Sequence, residues 1–299
     1  MGLEVKQLMK RYGENTVIHD VSIDAQKGKA FGLLGGNGAG KTTTIRSILG
    51  LLDYDAGSIQ WEGIPIVSNR PSIGYLPEER GLYPKEKVSE QLVYFARLEG
   101  MSRMDAIKSL RRWLERLDIS EHENKRVEQL SKGNQQKVQI ISALLHDPEL
   151  VILDEPFSGL DPVNSDMLAS VVKEQLKQGK TMIFSSHQMG HVEQFCENIC
   201  ILKRGRMMVS GNLTDIKRSY GRRNVVLRSE HDLGQYLKAA GIQPLDASGR
   251  NEWLLKVKDE TEAHELFLRL AQEGVQLLKF ELKEPTLHEI FIEKVGEAS

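Results

Sequence analysis

The sequence predicts an α/β protein built on a parallel sheet, followed by a smaller α+β domain. Two short apolar runs lie at 29–34 and 150–153, and the second is continuous, as central parallel strands buried on both faces are. Between them, from about 87 to 143, apolar residues follow a helical period. The pattern changes again near Tyr220, after which short strands and helices alternate. These changes divide the 299 residues into domains 1–220 and 221–299.

The first domain begins with strands. Leu3 starts one strand, and residues 17–23 alternate apolar and polar positions as a half-buried strand does. The run at 29–34 leads through a glycine-rich loop into a helix over 41–51. Further along, Ser102 and Asp105 predict a capping box before a helix over 106–117. Strands are again predicted at 150–153 and 181–185.

The second domain has the predicted order β-α-β-β-α-β, the split βαβ arrangement of ferredoxin-like folds. A final helix follows, capped by Thr286 with Glu289 three residues on. The predicted elements are strand 224–228, helix 233–240, a strand near 243–245, a turn at 248–251, strand 253–257, helix 260–273 and strand 275–282.

Composition excludes several classes of protein. The formal net charge is -2, and the local basic clusters are best interpreted as solvated faces, so we expect no nucleic-acid partner. No stretch approaches the roughly 18–20 apolar residues of a membrane-spanning helix, and the first 11 residues lack a signal-peptide core. Cys196 and Cys200 are predicted to be buried, with a helix ending near Cys196. We expect a soluble, cytoplasmic chain.

A phosphate-binding loop is the strongest motif. Its spacing is Gly, four free positions, then Gly-Lys-Thr, between a predicted strand and a predicted helix. Glycines turn backbone N–H groups toward phosphate oxygens, and the helix N-terminus adds positive potential. Lys41 reaches the β- and γ-phosphates of ATP or GTP, and Thr42 ligates Mg²⁺. The motif comprises Gly35, Gly36, Asn37, Gly38, Ala39, Gly40, Lys41 and Thr42.

Two carboxylates follow the strand at 150–153. Ligands gather at the carboxyl ends of parallel strands, and this strand delivers Asp154 and Glu155 there. Asp154 is predicted to hold Mg²⁺, directly or through water, and Glu155 to act as the general base on the attacking water. An acidic pair alone is a weak signal that also fits a helix cap, but about a hundred residues after a P-loop it is a strong one.

With these motifs in order, residues 1 to about 215 resemble the ATP-binding cassette (ABC) ATPases. The segment 130–136, Leu-Ser-Lys-Gly-Asn-Gln-Gln, resembles that family's Leu-Ser-Gly-Gly-Gln signature. Residues 159–161 resemble its D-loop, His187 its switch histidine, and Tyr12 the aromatic residue that stacks on adenine. The resemblance implies a P-loop NTPase fold with an antiparallel β subdomain and a helical subdomain at about 79–146.

The resemblance also implies a site shared by two subunits, with ATP and Mg²⁺ as cofactors. Thr43 joins the P-loop contacts, and His187 contacts the γ-phosphate. Ser131 and Gly133 belong to the signature loop, which in the family meets the γ-phosphate of the opposite subunit, and Asp161 of the D-loop is implied to be a further nucleotide-binding residue. Without the resemblance, Ser131 is simply an N-cap, and a lone histidine such as His187 is usually structural.

This sequence departs from the family pattern at four positions. Gly36 replaces a common proline, and Lys132 and Asn134 alter the signature. Glu78 stands where the family usually has a glutamine that senses Mg²⁺ and the permease. The Glu78 form, together with a tail at 284–291, resembles the branch of sodium and drug (antibiotic) efflux ATPases that carry an extra C-terminal domain.

Three functions are compatible with a P-loop of this kind. The favoured one is an ATPase subunit, homodimeric and peripheral on the inner face of the cell membrane, that drives an exporter through separate permease chains. The alternative is a non-transport ABC ATPase acting on ribosomes or nucleic acid, but this chain has neither paired cassettes nor inserted coiled coils. The third, a nucleotide-binding module without catalysis, conflicts with the presence of both Asp154 and Glu155.

Overall fold

The computed structural model describes residues 1–79, 81–239, 244–246 and 252–296. The chain divides into two compact units, Met1–Gly211 and Asn212–Ser299. The first unit therefore ends at Gly211 rather than at 220, and the helix at Leu213–Ser219 belongs to the second. Two sequence expectations fall wholly or partly on residues outside the described ranges: the strand near 243–245, at residue 243, and the turn at 248–251.

In the first unit the third strand, a loop and the first helix carry the P-loop sequence, and three α-helices of the described ranges lie between the sixth and seventh strands. They are β1 (Gly2–Tyr12), β2 (Asn15–Gln26), β3 (Ala30–Gly35), α1 (Lys41–Ile48), β4 (Ala56–Trp61), β5 (Ile64–Pro65), β6 (Ile73–Leu76), α2 (Val88–Leu98), α3 (Arg103–Arg116), α4 (Lys132–Leu144), β7 (Leu150–Asp154), α5 (Pro162–Lys177), β8 (Thr181–Ser186), α6 (Met189–Phe195), β9 (Cys196–Lys203) and β10 (Arg206–Asn212).

A six-stranded sheet in the order β10-β9-β3-β8-β7-β6 forms the centre of the unit. β3 pairs in parallel with β8 and β9, and β7 pairs in parallel with β8 and β6. Every residue of β3, β7 and β8 is buried. For β7 this is what the continuous apolar run at 150–153 predicts. The carboxyl ends of these three strands meet at one edge of the sheet, which places Gly35, Asp154 and Ser186 in the same region.

A second, four-stranded sheet in the order β2-β1-β4-β5 is antiparallel. Its apolar face shares one core with the parallel sheet, and Leu3, Leu8 and Ile18 are fully buried in it. The predicted α/β class with an antiparallel β subdomain is confirmed.

Helices α2, α3 and α4 form the predicted helical region, with 3-10 turns at Ser120–His122 and Val127–Gln129 between α3 and α4. The Ser102 hydroxyl accepts a hydrogen bond from the Asp105 amide (3.1 Å) and caps α3. Ser131 caps α4 in the same way, through the Asn134 amide (3.3 Å). No helix in the described part of the chain is both long and apolar enough to pass through a membrane.

The second unit contains α7 (Leu213–Ser219), β11 (Asn224–Ser229), α8 (Gly234–Ala239), β12 (Pro244–Asp246), β13 (Glu252–Lys256), α9 (Glu260–Gln272), β14 (Leu277–Lys283) and α10 (Leu287–Gly296). Its sheet has the order β12-β13-β11-β14 with antiparallel neighbours, which is the order of a split βαβ fold. Both predicted cap residues of α10 bond reciprocally, because the Thr286 amide donates to Glu289 Oε2 (2.7 Å) and the Glu289 amide to Thr286 Oγ1 (3.2 Å).

Candidate nucleotide-binding site

The P-loop connects the end of β3 to the start of α1, as its sequence predicts. Gly40 is the N-cap of α1 and has φ +105°, a left-handed value that favours glycine. A Cβ at Gly40 would lie 2.7 Å from Ile18 Cδ1, so the loop also packs too closely for a side chain. Asn37 and Gly38 are exposed at its tip. Backbone N–H groups at a helix N-terminus offer an anion-binding surface.

Lys41 is buried in the loop that precedes it. Its Nζ donates hydrogen bonds to the carbonyl oxygens of Gly35 (2.7 Å) and Gly36 (3.4 Å) and lies 3.9 Å from Glu155 Oε1. Only 9% of Lys41 is exposed. The ammonium group is therefore held at the end of β3, beside the carboxylate that ends β7.

Thr42 and Asp154 form the next contact across the site. The Thr42 hydroxyl donates to Asp154 Oδ2 over 3.5 Å, and Asp154 is 2% exposed. Burial raises the pKa of Asp154, and the negative charges of Glu78 and Glu155 act in the same direction.

These residues fit a magnesium ion. The second carboxylate oxygen, Asp154 Oδ1, is buried and has no hydrogen-bond partner among the described residues. A hydroxyl and a carboxylate are oxygen ligands of the kind Mg²⁺ takes, and Mg²⁺ sites in phosphoryl-transfer enzymes use few protein ligands because phosphates and water supply the rest. The unpartnered oxygen is the observation that favours a cation, because Ser185 and Lys41 only partly offset the cost of burying this carboxylate.

Glu155 has three contacts at this edge of the sheet and a strained backbone. Its φ is +51°, and its amide donates to the Ser185 carbonyl of the neighbouring strand (2.9 Å). Its Oε2 lies 2.8 Å from His187 Nδ1 and also accepts the His187 amide (3.3 Å). A non-glycine residue in the left-handed region costs on the order of 1–3 kcal/mol. Glu155 is 7% exposed, whereas the His187 side chain is 58% exposed.

Glu78 and Tyr75 lie on the side of the site formed by β6. Glu78 is exposed and follows the end of β6. It lies close enough to Asp154 for its negative charge to raise the pKa of that carboxyl. Burial raises the pKa of Tyr75 to about 12, and the Asp154 carboxylate adds to this shift. The structure therefore gathers Glu78, Asp154, Glu155, Lys41 and the P-loop in one region.

Ser131, Gly133 and Asp161 form a second group. The Asn164 amide and side chain donate to the two oxygens of Asp161 (2.9 and 2.6 Å), which lowers the pKa of that carboxyl. A Cβ at Gly133 would lie 2.8 Å from Asn164 Nδ2. Within the described ranges, no hydrogen bond joins these three residues to the P-loop of the same chain.

Tyr12 ends β1 and is 51% exposed, with Lys10 Nζ 5.4 Å from its ring centroid. The structure does not bring Tyr12 into hydrogen-bond contact with the P-loop among the described residues. His191 stacks on Phe157 with ring centroids 3.8 Å apart. Burial lowers the pKa of His191, in keeping with a packing role.

Two residues near the site were not found from the sequence. Ser185 pairs with Asp154 between β7 and β8, and strand alignment would have found it, because both residues end adjacent parallel strands. Asn164 joins Gly133 to Asp161; the Asp-Pro-x-Asn spacing is a helix N-cap pattern that could have indicated it.

The two cysteines are buried as predicted, and burial raises the pKa of Cys200 to about 12.

Comparison with known proteins decides the family. A family model described as ABC transporter matches residues 18–158, and one described as ATP-binding protein DrrA1-3-like, C-terminal domain, matches 211–295. A model described as AAA domain, putative AbiEii toxin, Type IV TA system, matches 126–193. The ABC transporter ATP-binding protein YhaQ of Bacillus subtilis (strain 168) is 51% identical over 297 residues, 98% of each chain. The chain is an ABC transporter ATP-binding subunit.

Other relatives of this ABC subunit agree. The Linearmycin resistance ATP-binding protein LnrL of Bacillus subtilis (strain 168) is 31% identical over 98% of both chains. A solved structure entitled "Structure of ATP binding subunit of ABC transporter" has a TM-score of 0.68 and 34% identity, covering 74% of this chain and 93% of that chain. Membership of the family implies ATP binding, ATPase activity and partnership with membrane permease subunits. The predicted resemblance and the P-loop ABC fold are thus confirmed.

Proposed function

We propose that this subunit hydrolyses ATP with Mg²⁺ to drive export of drugs or ions through separate permease chains, working as a homodimer. The observation that carries the proposal is the position of Glu155 at the end of β7. Its carboxylate lies 2.8 Å from His187 and 3.9 Å from the P-loop Lys41. The Glu155 carboxylate, the Lys41 ammonium group and a phosphate-binding loop therefore lie together in one chain.

Each residue has a proposed role in this chemistry. The P-loop amides of 35–43 and Lys41 hold the phosphates, while Thr42 and Asp154, with Glu78 beside them, hold Mg²⁺. Mg²⁺, when bound, would neutralise charge on the phosphates. Glu155 orients the attacking water and accepts its proton. His187, held by Glu155, contacts the γ-phosphate.

Exposure of the remaining site residues supports a shared site. Tyr12, Ser131 and Asp161 are exposed. Among the described residues, no hydrogen bond joins them to the P-loop of the same chain. We infer that Tyr12 stacks on the adenine, and that Ser131, Gly133 and Asp161 meet the nucleotide held by a second copy. Closure of the dimer on ATP and its opening after hydrolysis would supply the motion.

Export and location are also proposed. The name of the relative LnrL refers to linearmycin resistance, which supports a drug-efflux role for the present chain, and the Glu78 form supports the same branch. No described helix is able to cross a membrane, so we propose that permease chains hold this subunit on the inner face of the cell membrane.

The test is affinity purification of a Glu155→Gln variant from membranes in mild detergent, with ATP and Mg²⁺. Loss of the base should lower ATP turnover by about 10²–10⁴-fold and leave ATP bound, which traps the closed dimer. We expect a polypeptide with several membrane spans to be recovered with it. The matched control, Lys41→Ala, should lose both ATP retention and turnover.

Two results would contradict the proposal. Wild-type turnover in Glu155→Gln would remove Glu155 as the base. Recovery of ribosomes or nucleic acid, with no membrane protein, would move the subunit to the non-transport class of ABC ATPases.

A further inference from the structure

Strand β14 forms one edge of the sheet in the second unit. Within the described part of the chain, β14 pairs with β11 and with no other strand. An edge strand presents unpaired N–H and C=O groups, which favour pairing with a strand from another chain. The seven residues of β14 are therefore a surface on which a further strand could be added.

The sequence of β14, Leu-Leu-Lys-Phe-Glu-Leu-Lys, is complementary to itself in one antiparallel register. When the Phe280 residues of two copies lie opposite each other, each Lys279 faces the partner copy's residue 281, which is Glu281. Leu278 then lies opposite position 282. Moving the centre by one residue to Glu281 would place Lys279 opposite Lys283, and moving it to Lys279 would place two lysines opposite each other. Charge therefore selects the register centred on Phe280.

An apolar surface borders this edge on the side of α9. Phe267, 40% exposed, packs edge-on against Phe280 with ring centroids 5.1 Å apart. Leu278 is 55% exposed on the strand itself. An open hollow beside them is lined by Glu260, Ala263, His264, Phe267, Phe280 and Leu282. Apolar groups next to an unpaired strand edge are a hazard for a monomer and become buried when the edge is covered.

We propose that β14 pairs antiparallel with β14 of a second copy of this chain, which joins the two C-terminal sheets. In each chain Glu281 already lies 2.8 Å from Lys279 and 3.2 Å from Lys283. Pairing adds two symmetric cross-strand ion pairs and places Phe280 of one copy opposite Phe280 of the other. The contact needs no nucleotide, so it is separate from the ATP-dependent closure proposed above. One strand and a few side chains make a small interface, with an expected Kd on the order of 10 µM.

The experiment is sedimentation equilibrium of the full chain without nucleotide and with EDTA, over about 1–200 µM protein to span this Kd. Two variants reverse one charge each, Lys279→Glu and Glu281→Lys. Each creates like charges at both symmetric contacts, so the dimer Kd should rise about tenfold or more. In an equimolar mixture of the two variants, opposite charges again face each other at both contacts, so a heterodimer should form with near wild-type Kd. The control is Lys256→Glu on β13, an interior strand of the same sheet.

Circular dichroism of each variant checks that the chain is folded, and restored association in the mixture is independent proof of folding. The expected set is wild-type and control chains that dimerise with the same Kd, single variants whose Kd is about tenfold higher or more, and a heterodimer of near wild-type Kd in the mixture. A monomeric wild type up to the highest concentration would overturn the proposal. Single variants that dimerise like the wild type would also overturn it. So would a control that is weakened as much as the charge-reversed variants are expected to be, or a mixture that stays monomeric.

Discussion

At the scale of single residues, two glycines of the P-loop have different steric surroundings. A Cβ at Gly40 would meet Ile18 at 2.7 Å and the residue has φ +105°, whereas nothing lies within 4 Å of a Cβ at Gly36. We expect Gly40→Ala to lower the free energy of unfolding by about 1–3 kcal/mol and to weaken ATP binding. Gly36→Ala should change stability by less than about 0.5 kcal/mol. Thermal unfolding and titration with a fluorescent ATP analogue measure both; equal effects would show that packing does not control the loop.

Asp154 provides a prediction about pH. Burial raises its pKa above the ordinary 3.8, so the folded chain binds the proton more tightly than the unfolded chain does. Above the folded pKa the buried charge lowers stability, and protonation removes this cost as pH falls through that pKa. Without nucleotide or metal, Asp154→Asn should therefore stabilise the chain at pH 7 by about 0.5–2 kcal/mol, while abolishing Mg²⁺-dependent turnover.

The gain from Asp154→Asn should shrink as pH falls through the raised pKa and should be lost below 3.8, where the carboxyl is protonated in both states. Urea unfolding at several pH values measures this difference. A gain that is constant with pH would show that the carboxylate is not the cause.

At the scale of elements, Ser131 has a structural role that competes with its proposed functional one. Its hydroxyl caps α4 through the Asn134 amide. Aspartate is an equally good N-cap, so Ser131→Asp should leave the free energy of unfolding within about 0.5 kcal/mol. Its negative charge would repel the phosphate of an ATP held by the opposite subunit, so turnover should fall at least about tenfold.

Ser131→Ala is the matched variant, because it removes the cap without adding charge and should cost about 1 kcal/mol. Urea unfolding and phosphate release separate the two roles. If Ser131→Asp kept both stability and wild-type turnover, Ser131 would be a cap and nothing more.

The sequence predicts a structural feature correctly where the residues that form it lie a few positions apart in one element. The caps at Ser102 and Thr286 and the P-loop each depend on residues a few positions apart, and all three have the predicted structure. The pairing of β4 with β1 joins Leu3 to Trp61, and no local pattern reports such a contact. The same limit explains why Ser185 was missed, since its place beside Asp154 depends on the order of the strands.

At the scale of the whole molecule, the site residues were predictable as a set of motifs but their contacts were not. The sequence indicated Glu155 and His187 separately, from two loops 32 positions apart. Their 2.8 Å contact arises because β7 and β8 are adjacent and parallel, so that both loops leave the sheet at one edge. The boundary between the units lies at Gly211 rather than at 220 because the residues after Gly211 make most of their contacts within the second unit, and a change of sequence pattern does not report such contacts.

The two units have separate hydrophobic cores, which leads to the last prediction. Leu227 is fully buried among Leu237, Trp253 and Leu255 in the second unit, and Leu34 is fully buried in the first. Leu227→Ala should cost the second unit about 2–5 kcal/mol while ATP binding by the P-loop stays near its wild-type Kd. Leu34→Ala, on the strand that leads into the P-loop, should cost a similar amount and weaken ATP binding as well. Urea unfolding followed by tryptophan fluorescence, together with ATP titration, measures both; loss of ATP binding in Leu227→Ala would mean that the C-terminal core supports the nucleotide site.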